Sequence, residues 1–108
     1  MIAEQVARII AVFIMFLETT DEDKLDPDEA VEVMEYIGKL MYEFDKDFLR
    51  ELVDAFPKIA LEYKGASRQM VLDIPFDFYL EETLAADDPV RLAELDRLRD
   101  ERDWSVTT

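Results

Sequence analysis

The segment Ile9–Leu17 (IIAVFIMFL) dominates the sequence, because it is an unbroken run of apolar residues. A membrane-spanning helix needs about 20 such residues, so this run is too short to cross a bilayer. A secretory signal would begin with basic residues, whereas here Glu4 precedes Arg8 and Glu18 follows the run. We therefore predict a helix from Ile2 to about Glu18 in a cytoplasmic protein that does not associate with membranes.

The burial of this first helix follows from its pattern. Its polar side chains lie in its first half, and the second half is apolar on every side, which is typical of a helix that is buried all round. We expect it to be the central helix of a small bundle, with Ile9, Phe13 and Phe16 deeply buried. The alternative is that one side is left for a partner or for a second copy of the chain.

A second helix is predicted to run to about Phe44. The acidic segment Asp21–Glu29 (DEDKLDPDE) ends in a helix start, with Asp26 as the N-cap and Pro27 at the first helical position. Apolar residues then recur at three- and four-residue steps, which indicates one buried stripe. Gly38 lies inside this helix, and we expect it to permit close approach by the first helix.

A third helix is predicted from Asp45 or Asp47 to Gly65, a natural helix stop. Pro57 lies inside its apolar pattern, so we expect the helix to be kinked or split there. The last helix should begin at Asp88-Pro89, again an N-cap followed by proline, with Trp104 at its end.

Residues 66–86 are less regular. Ser67–Ile74 is interpreted as a short helix, and Pro75 as the start of another that extends through Leu84. A strand over Met70–Ile74 is the alternative. The pattern as a whole predicts an all-α protein, with one domain over residues 1–108 built as a bundle of about four to six helices.

The charge is strongly unbalanced, with 12 Lys and Arg against 27 Asp and Glu and a net charge of −15. A surface of this sign repels nucleic-acid backbones and anionic membranes. We therefore expect a cationic protein partner, no nucleic acid and no membrane; the alternative is that the acidity serves solubility alone. The sequence gives no indication of the oligomeric state.

The chain has no cysteine and no histidine. Disulfides, thiol chemistry, the zinc motifs and the serine–histidine–aspartate triad are therefore excluded. Gly38 and Gly65 are the only glycines, so there is no glycine-rich phosphate loop. We expect a binding protein without metal or cofactor, and not an enzyme.

The block Pro75–Glu82 (PFDFYLEE) is the best candidate for partner binding. Its three aromatic residues cannot all face one core from a single short helix, so Phe78 is expected near the surface; the alternative is that all three are core. Aromatic side chains flanked by acids suit binding to a cationic partner. The candidate partner-binding residues are Asp77, Phe78, Tyr79, Glu81 and Glu82, together with the helix-two acids Glu32, Glu35 and Glu43.

Two carboxylate pairs suggest an alternative function. Glu32-x-x-Glu35 and Glu51-x-x-Asp54 resemble the E-x-x-E and E-x-x-D motifs of the MazG-type all-α nucleoside-triphosphate pyrophosphohydrolases. That resemblance implies Mg²⁺ held by four carboxylates against substrate phosphates, a chemistry that suits oxygen ligands. Helical phase turns both pairs away from the apolar stripes, so they should face water on different sides. A helical regulatory or oligomerisation module is a further alternative.

The layout of the whole chain resembles the small acidic helical immunity proteins of bacterial polymorphic-toxin and contact- or type VI-secreted toxin systems. The similarity is carried by Phe16-Leu17-Glu18, by the helix opening over residues 25–31 (LDPDEAV) and by residues 76–82 (FDFYLEE). It implies a protein that binds one cognate toxin and blocks its active cleft or entry path. Such toxins are often cationic nucleases or nucleic-acid-modifying enzymes.

The misdirected carboxylate pairs give a first testable prediction. We expect no Mg²⁺-dependent release of pyrophosphate from any nucleoside triphosphate, because the four carboxylates do not converge. The assay is pyrophosphate release with and without Mg²⁺. Turnover that disappears in both Glu32→Ala and Glu51→Ala would establish the hydrolase instead.

Overall fold

A computed structural model describes the backbone of residues 2–107 and the side chains of residues 2–102. Six helices follow one another along the chain, and no strand is present in this part. The predicted all-α class is therefore confirmed. The helices are α1 (Ile2–Thr19), α2 (Pro27–Tyr42), α3 (Lys46–Ala60), α4 (Gly65–Asp77), α5 (Leu80–Leu84) and α6 (Pro89–Thr107).

Helix α1 is buried along one side only. The buried side is made mainly of small residues, Ala3, Ala7 and Ala11, and continues into Ile14. Burial of α1 on all sides was therefore a wrong expectation: Ile9 is 68% exposed, Phe13 48% and Phe16 55%. The described residues leave one apolar side of α1 uncovered, and the alternative from the sequence, that this side is left for a partner or for a second copy, stays a prediction.

Helix α3, and not α1, is the centre of the bundle. It packs against α1, α4 and α5. Seven of its fifteen residues are buried, namely Leu49, Leu52, Val53, Ala55, Phe56, Ile59 and Ala60. Its amphipathic pattern puts these side chains on one broad face, which is why three other helices can assemble on it.

The predicted helix starts are confirmed. The Asp26 side chain accepts from the Asp28 backbone N–H at 2.9 Å, with Pro27 as the first helical residue of α2. Asp45 caps α3 by accepting from the Phe48 N–H at 2.9 Å, and Asp88 accepts from the Arg91 N–H at 3.1 Å at the start of α6. Each cap satisfies a backbone donor that the first helical turn leaves free.

The helix ends differ more from the sequence predictions. Pro57 does not split α3, because Ile59 and Ala60 beyond it are buried on the same face and keep the helix in one piece. That helix ends at Ala60, before Gly65. Arg68 donates to the carbonyls of Ala60, Leu61 and Tyr63, which satisfies acceptors that the end of α3 leaves free.

Gly65 starts α4 instead of ending α3. Its φ of +57° is the left-handed conformation that glycine adopts at little cost. Helix α4 then runs through the whole of the expected helix Ser67–Ile74 and through Pro75, so the strand alternative is wrong. The break expected at Pro75 comes later, at Tyr79, whose own φ of 56° separates α4 from α5.

Helix α6 is attached largely by cationic side chains. The Arg99 guanidinium lies 3.8 Å from the ring centres of Phe76 and Tyr79 and 2.9 Å from a Glu82 carboxylate oxygen. Arg102 lies 2.8 Å from Asp73 and also stacks on Phe76. The expected role of Trp104 at the end of α6 lies outside the described side chains. Of the helices described, none is long and apolar enough to cross a bilayer.

The contrast between α3 and α1 gives a stability prediction. Phe56 is completely buried, so Phe56→Ala should lower the free energy of unfolding by about 3–5 kcal/mol. Phe13→Ala removes the same atoms from a half-exposed ring and should cost less than about half as much. Urea unfolding of the two variants measures both values. A loss at Phe13 equal to that at Phe56 would mean that the exposed side of α1 is covered in solution.

Candidate functional site

The block Pro75–Glu82 is divided between the end of α4 and the start of α5. Phe78 is partly buried and packs on α2, where a Cβ added to Gly38 would lie 3.0 Å from the Phe78 ring. Gly38 therefore makes room for Phe78 and not, as expected, for α1. The Tyr42 hydroxyl donates to the Phe78 carbonyl at 2.7 Å, which fixes this turn against α2.

Tyr79 is the more exposed aromatic residue of the block. Half of its surface is exposed, at 50%, whereas Phe78 was expected to be the one near the surface. One face of the Tyr79 ring is covered by Arg99, so the remainder of the ring forms part of the protein surface. Tyr79 therefore has the exposure expected of a contact residue.

Glu81 and Glu82 are engaged in ion pairs within the chain. Glu81 accepts from Arg50 of α3 and lies 3.5 Å from Arg91 of α6. Glu82 pairs with Arg99 at 2.9 Å. Both carboxylates thus join α5 to other helices, and little of their charge is left for a partner.

A different group of acids comes together between α2 and the end of α4. Glu18, Glu35 and Asp77 line one surface cavity of about 490 Å³, together with Val31, Met34, Gly38, Tyr42 and Phe78. We call this the acidic cavity. Three of the predicted site residues, Glu35, Asp77 and Phe78, meet there.

The surroundings of the acidic cavity disfavour the ionised forms of two of its carboxylates, Glu18 and Asp77. Both Glu18 and Asp77 reach solvent, yet their packed neighbours remove part of the surrounding water, and this raises the pKa of each. Repulsion from Asp73 raises both values further, and Asp77 adds to the rise at Glu18. The nearby Arg99 and Arg102 oppose the rise at Asp77.

No ion pair reaches these carboxylates from any described residue. Asp73 is bound to Arg102 at 2.8 Å, whereas Glu18, Glu35 and Asp77 are without such a partner among residues 2–102. A cationic group entering the cavity would replace lost water and relieve mutual repulsion together. The cavity is therefore suited to a lysine or arginine side chain.

Two predicted acids remain, Glu32 on α2 and Glu43 at its C-cap, and both are exposed but lie outside the acidic cavity. They are four residues before and seven after Tyr36, so they share its side of the helix. The eight candidate residues therefore do not form one site. They divide among the acidic cavity, the turn at Tyr79, the ion pairs of α5 and a second side of α2.

Glu18 was missed from the sequence. It lies four residues after Ile14 and seven after Ala11, so it continues the buried side of α1 as a charged residue. A carboxylate in that phase signals a functional position or a local opening in the core. The long apolar run obscured this signal, because it gave no indication of which side of α1 would be buried.

The carboxylates of the alternative hydrolase function are not brought together. Glu32 and Glu35 are exposed on α2, Glu51 is exposed on α3, and Asp54 pairs with Arg50 at 2.7 Å. Within the described residues, no group of three or more acidic side chains could hold a metal ion. The geometry therefore offers no support for a four-carboxylate magnesium site, and the absence of hydrolysis stays a prediction.

Comparisons with protein-family models, with curated proteins and with solved structures found no match to this chain.

The raised pKa of Glu18 predicts how stability depends on pH. The folded state favours protonated Glu18, so its ionised form reduces stability, and that loss grows as pH rises through the raised pKa. Glu18→Gln should therefore raise the unfolding midpoint at pH 7. Its advantage over the wild type should shrink as pH falls toward the ordinary glutamate value of 4.5. Thermal unfolding across this pH range measures the effect.

Glu51→Gln is the matched control, because it removes the same charge from an exposed position on α3 outside the cavity. It should change stability by less than about 0.5 kcal/mol. Equal stabilisation in both variants would show that only the overall negative charge is being relieved.

Proposed function

We propose that this protein binds a cationic protein at the acidic cavity, and that the partner is a cognate bacterial toxin whose activity it blocks. The observation that carries the proposal is the meeting of Glu18, Glu35 and Asp77 around one cavity without an ion-pair partner among the described residues. The immunity proteins that the sequence resembles supply the nature of the partner.

The distribution of charge supports a partner that approaches from the α2 side. Residues 21–45 contain ten acids and two lysines, which is more than half of the net charge of −15. None of these residues takes part in an ion pair with any described residue. The arginines of α3 and α6 form their ion pairs with acids of α3, α4, α5 and α6. The α2 side therefore presents the attractive field to a cationic partner.

Recognition at the cavity would combine charge and aromatic packing. A lysine or arginine of the partner enters between α2 and the α4 end and donates to Glu35 and Asp77, with Glu18 behind them. Its alkyl stem packs against Phe78, and the exposed part of Tyr79 extends the contact. Since other carboxylates already repel Glu18 and Asp77, the ionised forms of these two gain more from the cation than isolated surface acids do.

The negative charge of the α2 side explains how binding would block the activity of the toxin. A toxin that acts on nucleic acid needs a cationic cleft to hold the phosphate backbone. The acidic α2 side can occupy such a cleft and exclude the substrate, without any chemistry of its own. Electrostatic attraction over about 8 Å at physiological salt speeds the encounter, and the packed contacts set how long the complex lasts.

The test is binding kinetics against a cationic protein recovered with this chain from its native cells. The double variant Glu35→Gln/Asp77→Asn should weaken binding by at least about tenfold, through slower association and faster dissociation. Rising salt should slow association of the wild type more than of the variant.

The matched control is Glu51→Gln/Asp96→Asn, which makes the same change in net charge at exposed positions outside the acidic cavity. It should reduce affinity by less than about threefold, the size of a rim effect on encounter rate. Equal loss in both double variants would show that only net charge matters. Inhibition of growth by the partner alone, relieved by co-expression of the chain, tests the toxin assignment.

Binding should also weaken in mild acid. The cation pairs with ionised carboxylates, whereas the free protein protonates Glu18 and Asp77 more readily than usual because their pKa values are raised. As pH falls through those values, protons compete with the partner and affinity declines. Affinity that is unchanged between pH 7 and 4.5 would place the contact elsewhere.

A further inference from the structure

A second surface of the protein is apolar and lies on the other side of α2. Side chains of α1 and α2 form a groove of about 330 Å³, and apart from the Tyr36 hydroxyl its lining carries no polar side-chain group. We call this the α1–α2 groove. Its most exposed lining residues are Ile9 at 68%, Tyr36 at 59%, Phe13 at 48%, Leu40 at 42% and Phe44 at 37%. Contiguous exposure of large apolar side chains on this scale marks an interaction surface.

The groove has an acidic rim. Three acids follow the Tyr36 side of α2. Glu29 is seven residues before Tyr36, Glu32 is four residues before it, and the C-cap residue Glu43 is seven residues after it. All three are exposed and form no ion pair with any described residue. Lys39 is the only base of α2, so the rim is negative along most of its length.

The shape of the groove matches a helix. Two neighbouring helices form its walls, and the lining on α2 runs from Val33 to Met41, about 12 Å at 1.5 Å per residue. An amphipathic helix fills such a groove by inserting apolar side chains at positions i, i+3, i+4 and i+7.

The negative charge of the rim favours a bound helix that carries basic residues. A second copy related by a two-fold axis would bring the same patch, and so the same acids, against each other. Residues 21–45 contain only Lys24 and Lys39 to oppose ten acids, so a copy of this chain brings few cations to that contact. A helix with lysine or arginine beside its apolar stripe satisfies both the groove and the rim.

We propose that the α1–α2 groove binds an amphipathic helix with basic flanks, presented by a cationic protein. The occupant inserts apolar side chains over Ile9, Phe13 and Leu40, and its bases pair with Glu32 and Glu43. The inference rests on the proposed function only for the charge of the partner. The groove is a separate site from the acidic cavity, on another side of α2.

The experiment uses the full chain and a designed 16-residue peptide, with leucine at the i, i+3, i+4 and i+7 positions and lysine elsewhere. Fluorescence anisotropy measures affinity, and methyl chemical shifts locate the bound peptide. Ile9→Asn and Leu40→Asn should each weaken binding by at least about tenfold, as removal of an interface anchor does. The matched control is Val90→Asn, an exposed apolar position on α6 at 80%, and it should leave affinity within about twofold.

Charge is tested with two further arms. Glu32→Gln/Glu43→Gln should weaken binding by about threefold or more at low salt, with a smaller effect as salt rises. A peptide of the same pattern with glutamate in place of lysine should not bind, and a scrambled leucine–lysine peptide of equal composition should bind at least about tenfold more weakly.

Three results would overturn the proposal. One is that the amphipathic leucine–lysine peptide does not bind. Another is that the chain associates with itself and Ile9→Asn makes it monomeric in sedimentation, which would assign the groove to a second copy. The third is that Glu35→Gln/Asp77→Asn reduces peptide affinity as much as Ile9→Asn does, since the peptide would then lie at the acidic cavity. If Glu35→Gln/Asp77→Asn leaves both peptide binding and binding of the native partner unchanged, the proposed function is wrong and the groove proposal is still supported.

Discussion

The packing of the alanine side of α1 against α3 is the constraint on which the rest of the structure depends. Ala3, Ala7 and Ala11 recur every four residues and are buried, so α1 can lie close to the broad apolar face of α3. Because the small residues take the inside, the larger Ile9 and Phe13 are turned outward. The same rotation sets Glu18 beside the end of α4. One choice of helix face thus creates both the apolar groove and part of the acidic cavity.

Helix α6 is held in the bundle by different interactions. Helix α6 buries little apolar surface, with Leu95 at the limit of burial. Its attachment comes from Arg99 and Arg102, whose guanidinium groups stack on aromatic rings and pair with carboxylates. The side-chain exposures of the Arg99–Glu82 pair are only 14% and 21%, so it is less screened than an exposed pair. A planar guanidinium can stack and pair at once, which lysine cannot do equally well.

Local signals in the sequence predicted the helices well. Asp26-Pro27 and Asp88-Pro89 mark helix starts, because an acceptor side chain and a preset φ act within a few residues. Breaks were predicted less well, since burial beyond Pro57 and within α4 overrides the cost of an internal proline. The side of α1 that faces the core was not predictable from hydrophobicity, because every side of its second half is apolar. Residue size, with alanine at four-residue steps, was the signal that decided it.

The site was predictable only in part, for a related reason. The acidic block Pro75–Glu82 and the acids of the second helix were recognised by composition. Composition does not show which carboxylates form ion pairs with arginines. Glu81 and Glu82 do, whereas Glu35 and Asp77 do not among the described residues. Pairing depends on the approach of helices distant in sequence, such as Arg50 of α3 to Glu81 of α5.

The separation of acids that form ion pairs from acids that do not is the link between the fold and the proposed binding. A net charge of −15 opposes compaction through self-repulsion, and the cost is least where arginines are interspersed with acids. Among the side chains of residues 2–102, seven bases form ion pairs that involve α1, α3 or α6 and the segments next to them, and no ion pair involves α2. Helix α2 therefore keeps its acids exposed and uncompensated, between the acidic cavity on one side and the apolar groove on the other. In the proposed function a cationic partner would relieve the repulsion that folding leaves there, so the surface that costs stability in the free protein would also be the one that gains most from binding.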